Sequence, residues 1–95
     1  MVDITIHFFS NFRTIANTKE KTYSFSQDDV MILDLMKEVI KDFPEMDEYI
    51  FDEPEVFSES TSILVNGEDV RGLQHNETPV TPEDRITIFK AVGGG

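Results

Sequence analysis

The sequence contains no cysteine among its 95 residues. This absence excludes disulfide bonds, iron–sulfur clusters, thiolate zinc sites and any reaction that needs a cysteine nucleophile or a thioester on this chain. A chain without cysteine is compatible with a reducing compartment, and we expect a cytoplasmic protein.

Basic residues are also scarce. The chain has 8 Lys and Arg against 19 Asp and Glu, which gives a formal net charge of −11. Like charge opposes approach to DNA, RNA or an anionic membrane surface, so neither nucleic acid nor membrane is expected as a partner. Basic proteins are the natural alternative.

Long hydrophobic runs are missing as well. No stretch approaches the roughly 18 apolar residues of a membrane span, and the N-terminus alternates in polarity where an export signal would be basic and then apolar. The apolar content of 39% is enough for one core in a chain of this length. We therefore expect a single soluble domain.

Alternating polarity predicts several β-strands. Residues 2–8 form the first strand, residues 21–25 the second and residues 85–89 the last. Residues 10–17 break the alternation with small and polar residues, and the strands on either side of them are predicted to form a first hairpin. Residues 63–65 and 68–70 flank Asn66-Gly67, a dipeptide suited to a type I′ turn, and predict a second hairpin.

A helical repeat begins at Ile32. Six apolar residues recur at offsets of 0, 3, 4, 7, 8 and 11, which predicts a helix with one buried stripe, closed by Pro44. Asp28 and Asp29 are expected at its N-terminus. The core prediction pairs Leu35, Met36, Val39 and Ile40 of this helix with Ile4, Ile6, Ile86 and Ile88 of the strands.

Residues 45–59 carry seven acidic residues and no basic one. They lack the spacing of a calcium-binding loop, so a solvated, partner-facing loop is expected, held to the core by its aromatic residues.

These elements follow the order β-β-α-β-β-β. One helix across a mixed sheet, with the first and last strands paired in the centre, is the ubiquitin-like β-grasp fold of the α+β class. We expect residues 1–89 to form this domain and residues 90–95 to form a flexible tail.

No catalytic constellation is visible in the sequence. Neither His7 nor His75 lies in a nucleophile motif, and no metal site or acid–base pair can be assembled, so no enzyme is expected. The chain ends in Gly93-Gly94-Gly95, where the reactive group would be the Gly95 carboxylate, and Gly93 and Gly94 would let it enter a narrow channel. The alternative is a frayed end or an expression scar.

A partner-binding face is expected beside this tail. If Ile86 and Ile88 face the helix, Arg85, Thr87 and Phe89 lie on the opposite face of the sheet. Phe89 and Val92 would then anchor a partner, although Phe89 could instead only cover an edge of the core.

The segment Phe9–Ala16 resembles a motif of the MoaD-like proteins, the small subunits of molybdopterin synthase. Its form there is aromatic-x-x-(Leu/Phe)-Arg-x-(Leu/Ile)-Ala, after the first strand. The C-terminus departs from the usual family pattern at two places: Lys90-Ala91 replaces two prolines, and Gly93 replaces the small residue before the diglycine. Residues 32–36, 65–70, 78–80 and 88–95 are similar as well.

This resemblance implies a carrier protein that binds no cofactor itself. An E1-like enzyme would adenylate the Gly95 carboxylate with ATP, and sulfur would then convert it to a thiocarboxylate for the molybdopterin synthase large subunit. Small archaeal modifier proteins share the fold and the diglycine ending, so conjugation to lysines of target proteins is an alternative. A noncatalytic ubiquitin-like domain that docks a basic partner is the third.

Overall fold

The computed structural model describes residues 1–90, which contain a five-stranded mixed sheet with the order β2-β1-β7-β5-β6. Its central strands, β1 (Val2–Phe8) and β7 (Ile86–Lys90), are parallel, and the other pairs in the sheet are antiparallel. The outer strands are β2 (Glu20–Phe25), β5 (Thr61–Val65) and β6 (Glu68–Asp69). This is the predicted β-grasp topology, in which the first and last strands form the centre.

The main helix, α2 (Ile32–Asp42), supplies the predicted apolar stripe. Leu35, Met36 and Val39 are fully buried, in one cluster with the isoleucines of β1 and β7. The prediction for Ile40 is wrong: it is only half-buried, because it lies at the margin of the stripe beside an open groove.

The N-terminus of α2 also differs from the prediction. The helix begins three residues after Asp29, and the carboxylate that serves this end is Asp34, whose Oδ2 accepts a hydrogen bond from the Met31 amide at 2.9 Å. A carboxylate one turn inside the helix can reach back to the amide that precedes it. Asp28 and Asp29 are exposed.

Residues 10–16 are helical, which the interrupted alternation did not predict, whereas β1 and β2 on either side of them pair antiparallel as predicted. This short helix, α1 (Ser10–Ala16), buries Phe12 completely. It ends at Asn17, a left-handed residue with φ of 56° whose amide donates to the Arg13 carbonyl at 2.8 Å. Asparagine tolerates this conformation better than most residues, which makes it a suitable helix terminus.

The acidic segment is a folded structure rather than a loop. A 3₁₀ turn (Pro44–Met46) leads into α3 (Asp47–Ile50), and β3 (Phe51–Glu53) pairs with β4 (Val56–Phe57) as a small separate hairpin. Met46 and Ile50 are fully buried, and Tyr49 packs edge-on against Phe12 with ring centroids 6.3 Å apart. The predicted aromatic contacts with the core are therefore present, since Tyr49, Phe51 and Phe57 pack partly buried against it, but the fully buried residues of this segment are aliphatic.

The Asn66-Gly67 turn is confirmed, with φ of 54° and 87° at its two residues. Asn66 also joins the turn to the start of β7: its Oδ1 accepts from the Arg85 amide, and its Nδ2 donates to Asp84, both at 2.8 Å. The remaining connection contains two further 3₁₀ turns, Val70–Gly72 and His75–Glu77. No helix among residues 1–90 is long and apolar enough to cross a membrane.

Candidate partner-binding face

One face of the sheet packs on α2, and side chains on its other face remain accessible. Along β7, Ile86 and Ile88 are fully buried, whereas Thr87 and Phe89 alternate with them and are half-buried. Arg85, immediately before the strand, is exposed. The structure therefore puts Thr87 and Phe89 on the face that the alternation predicted and leaves Phe89 accessible there.

The neighbouring strands add a second apolar residue to this face. Leu64 of β5 lies opposite Thr87, and Ser62 lies opposite Phe89. Ile63 and Val65 point into the core and are buried, so Leu64 between them points outward and is half-buried. Its position could have been found in the sequence from the parity of the run Ile63-Leu64-Val65.

Phe9 extends the apolar surface on the other side of β7. Its backbone is extended, and its amide donates to the Ile88 carbonyl at 3.0 Å, which continues the line of β1 beyond Phe8. Because Phe8 is fully buried, Phe9 lies on the open face, half-buried. Phe9, Leu64 and Phe89 together are called here the aromatic face.

Arg13 of α1 covers part of this surface. Its guanidinium carbon lies 4.9 Å from the centroid of the Phe9 ring, and its Nε donates to the Phe8 carbonyl at 3.2 Å. A cation over an accessible aromatic ring contributes about 0.5–1 kcal/mol. The turn of α1 brings Arg13 back onto the residue that precedes the helix, a contact that strand alternation alone does not predict.

The last described residue, Lys90, is held in the sheet by strand pairing. Lys90, the last residue of β7, pairs with Thr61 of β5, so the strand continues one residue beyond the predicted end. Thr61 is buried and its hydroxyl donates to the Tyr49 carbonyl at 2.5 Å. The predicted site residues Val92, Gly93, Gly94 and Gly95 lie outside the described residues, so their roles stay predictions.

The chain matches the model of the ThiS family over residues 6–95. It belongs to the ThiS family. These are ubiquitin-like sulfur carriers and modifiers, small proteins rather than catalytic enzymes. No curated protein matches the sequence.

Solved structures support the same assignment. The solution structure of small archaeal modifier protein 1 from Methanosarcina acetivorans is 27% identical, with a TM-score of 0.83 over 100% of this chain and 98% of that one. CysO of Amycolatopsis orientalis, in its complex with BexX, is 25% identical with a TM-score of 0.72, over 97% and 99% of the two chains. A putative molybdopterin converting factor subunit 1 from Pyrococcus furiosus has the same fold, at 21% identity and a TM-score of 0.75 over 97% and 100%.

Proposed function

We propose that this ThiS-family chain is a sulfur carrier for molybdenum- or tungsten-pterin cofactor synthesis, with the Gly95 carboxylate as its reacting group. The observation that carries the proposal is the position of β7, which presents Phe89 on the aromatic face and ends at Lys90, five residues before Gly95. A partner bound to this face would lie beside the root of the tail. Five extended residues span about 17 Å, enough to reach into that partner's active site.

The reaction has two steps, both carried out by an E1-like enzyme that uses ATP. A Gly95 carboxylate oxygen attacks the α-phosphorus of ATP, pyrophosphate leaves, and an acyl adenylate forms. A sulfur nucleophile at the oxidation level of hydrosulfide then attacks the carbonyl carbon, the bond to the AMP oxygen breaks, and a thiocarboxylate remains. Gly93 and Gly94 have no Cβ, which lets a narrow channel close around the tail.

Recognition by the activating enzyme is assigned to the aromatic face. Phe89, with Phe9 and Leu64, would bury apolar surface at the centre of the contact, where aromatic residues contribute most to binding. Thr87 lies between Leu64 and His7 in the sheet register and Arg85 at its margin. Val92 would add a second anchor within the tail, and the molybdopterin synthase large subunit would use the same end of the molecule.

Protein modification is the second candidate. It is favoured by the 27% identity to the archaeal modifier protein over the whole of this chain. Activation would be the same, but the nucleophile would be a lysine amine of a target protein, so that AMP leaves and an isopeptide bond forms. A noncatalytic interaction domain is the third candidate, and it needs no chemistry at Gly95.

The test is ATP–pyrophosphate exchange with the cognate activating enzyme. Wild type should support exchange, whereas Gly94→Val and deletion of Gly95 should abolish it, because a β-branched residue collides with a channel shaped for glycine and a shortened tail misplaces the carboxylate. Thermal unfolding should be unchanged in both variants. Equal exchange by all three proteins would leave only the noncatalytic domain.

Intact-mass measurement separates the carrier from the modifier. After incubation with the enzyme, ATP and a sulfur donor, exchange of one oxygen for sulfur on the chain supports the carrier. Glycine remnants on lysines of other proteins support the modifier.

A further inference from the structure

A second accessible surface lies on the helix side of the sheet, between α2 and the β3–β4 hairpin. It is an open groove of about 430 Å³. Its apolar lining consists of Ile40, Phe51 and Pro54, of which Ile40 and Phe51 are half-buried and Pro54 is exposed. The groove shares no residue with the aromatic face.

Carboxylates dominate the rest of the lining. Lys37 is the one basic side chain among the lining residues, and its Nζ lies 2.9 Å from Oε2 of Glu55. Five carboxylates and one ammonium give the groove a formal charge of −5 + 1 = −4. The five are Asp47, Glu48, Asp52, Glu53 and Glu55, all exposed.

The hairpin that forms one wall is held from both sides. On one side, Lys37 of α2 binds the side chain of Glu55. On the other side, Asn76 of the 3₁₀ turn His75–Glu77 donates a hydrogen bond from its side-chain amide to the Glu55 carbonyl. The ring of Phe51 stacks on that of Phe57 across β3 and β4, with centroids 5.4 Å apart. A wall fixed in this way needs little ordering when a ligand binds, which favours affinity.

We infer that this groove binds a basic segment of a partner protein in which an apolar side chain lies between lysines or arginines. The aliphatic stems of lysine and arginine lie along apolar surface while their charged ends reach outward, here to the surrounding carboxylates. An apolar side chain between them would contact Ile40, Phe51 and Pro54. A nucleic acid or an anionic lipid surface would be repelled by the same charge.

The inference does not depend on chemistry at Gly95. Binding can be measured with the full-length chain alone, without an activating enzyme or ATP, so its failure would not touch the proposed carrier function. The probes are two short peptides of equal positive charge, one alternating lysine with leucine and the other alternating lysine with serine.

We expect the leucine peptide to bind more tightly and to shift the amide resonances of Ile40, Phe51 and Glu53. Pro54→Ser should weaken the leucine peptide and leave the serine peptide unchanged, because only the former uses the apolar lining. The triple variant Asp47→Asn, Glu48→Gln, Glu53→Gln should raise the dissociation constant about tenfold, as expected for the loss of several exposed ion pairs.

The matched control neutralises three exposed carboxylates outside the groove, in the variant Glu68→Gln, Glu77→Gln, Glu83→Gln. It should change the dissociation constant by about twofold or less, since it leaves the local contacts intact. Equal losses in the two triple variants, equal affinity for the two peptides, or resonance shifts outside the groove would each overturn the inference in favour of diffuse charge attraction.

Discussion

At the scale of single residues, Ile88 and Phe89 are adjacent on β7 and face opposite sides of the sheet. Ile88 is fully buried, so Ile88→Ala should lower the free energy of unfolding by about 2–4 kcal/mol. Phe89 is half-buried, so Phe89→Ser should cost less stability but should raise the KM for the chain in the exchange reaction about tenfold or more, as for an interface anchor.

The control for Phe89 is Val56→Ser, which removes an exposed apolar residue, 49% accessible, from β4. This variant should leave the KM unchanged. If Phe89→Ser and Val56→Ser behave alike in the exchange assay, Phe89 only covers an edge of the core.

A second residue-scale feature links β2 to the end of α2. Oδ2 of Asp42 accepts a hydrogen bond from the Tyr23 hydroxyl at 2.9 Å and lies 2.6 Å from Nζ of Lys21. The Lys21 ammonium lowers the pKa of Asp42 below its usual value, and the Tyr23 hydrogen bond acts in the same direction. A depressed carboxyl pKa stabilises the fold above the pKa of the unfolded chain, about 3.9, and this stabilisation is lost as the pH falls through the lower folded pKa.

Asp42→Asn should therefore lower the free energy of unfolding by about 0.5–1 kcal/mol at pH 7, the upper range for a partly exposed pair. The difference from wild type should shrink when urea unfolding is repeated below the folded pKa, where the Asp42 carboxyl is neutral. In a Lys21→Met background the penalty should be smaller at pH 7. A penalty that is independent of both pH and Lys21 would show that the charge of Asp42 is not what stabilises this contact.

At the scale of elements, α2 stabilises the fold by covering the sheet. Leu35→Ala should cost about 2–4 kcal/mol, because Leu35 is fully buried and its truncation leaves a cavity. Ile40→Ala, five residues along the same helix, should cost less because Ile40 is half-buried beside the groove. Chemical denaturation compares them, and a cost below about 0.5 kcal/mol for Leu35 would mean that the buried face of the helix is misassigned.

The elements predicted from sequence are those with several repeats of one period. The alternation in β1 and β7 and the six-residue stripe of α2 each constrain one face strongly. Helix α1 was missed because Phe12, Ile15 and Ala16 cover little more than one turn. In α3 the acidic residues obscured the four-residue spacing of Met46 and Ile50, which marks its buried side.

In the candidate site too, some residues follow from the periodicity of one element, and others depend on contacts between elements. Phe89, Thr87 and Arg85 followed from alternation along one strand, and Leu64 would have followed from the same argument on β5. The stacking of Arg13 on Phe9 depends on where α1 turns back, and the groove depends on the packing of the β3–β4 hairpin beside α2. Such contacts between elements leave no periodic signal in the sequence.

At the scale of the whole molecule, charge is distributed unevenly between the two surfaces. Arg13 lies over Phe9 on the aromatic face and Asp69 lies opposite Leu64, so charges of both signs border this face, whereas the groove carries a formal charge of −4. The two are connected through Thr61, which pairs with Lys90 and hydrogen-bonds to Tyr49 of α3. Since the surfaces share no residue, we expect that the proposed activating enzyme on one would not exclude the proposed basic segment on the other.

The net charge of −11 predicts how the stability of the free domain depends on salt. At 10 mM salt the Debye length is about 30 Å, longer than the shortest dimension of the domain, 24 Å, so that carboxylates repel one another across the whole molecule. At 1 M it is about 3 Å, and this repulsion is screened. Screening also weakens the ion pairs, but each exposed pair contributes at most about 1 kcal/mol. We therefore expect the free energy of unfolding at pH 7 to rise from low to high sodium chloride, as measured by urea denaturation.

The control is the same salt series near the isoelectric point of about 4.3, where little net charge remains to be screened and the dependence should be weak. A series in sucrose, which favours the compact state without screening charge, separates electrostatics from general exclusion of cosolutes. If stability at pH 7 is unchanged or falls with salt, the ion pairs balance or outweigh the repulsion. The acidic surface would then be electrostatically balanced in the free domain, and its excess charge would have no measurable cost before a basic partner binds.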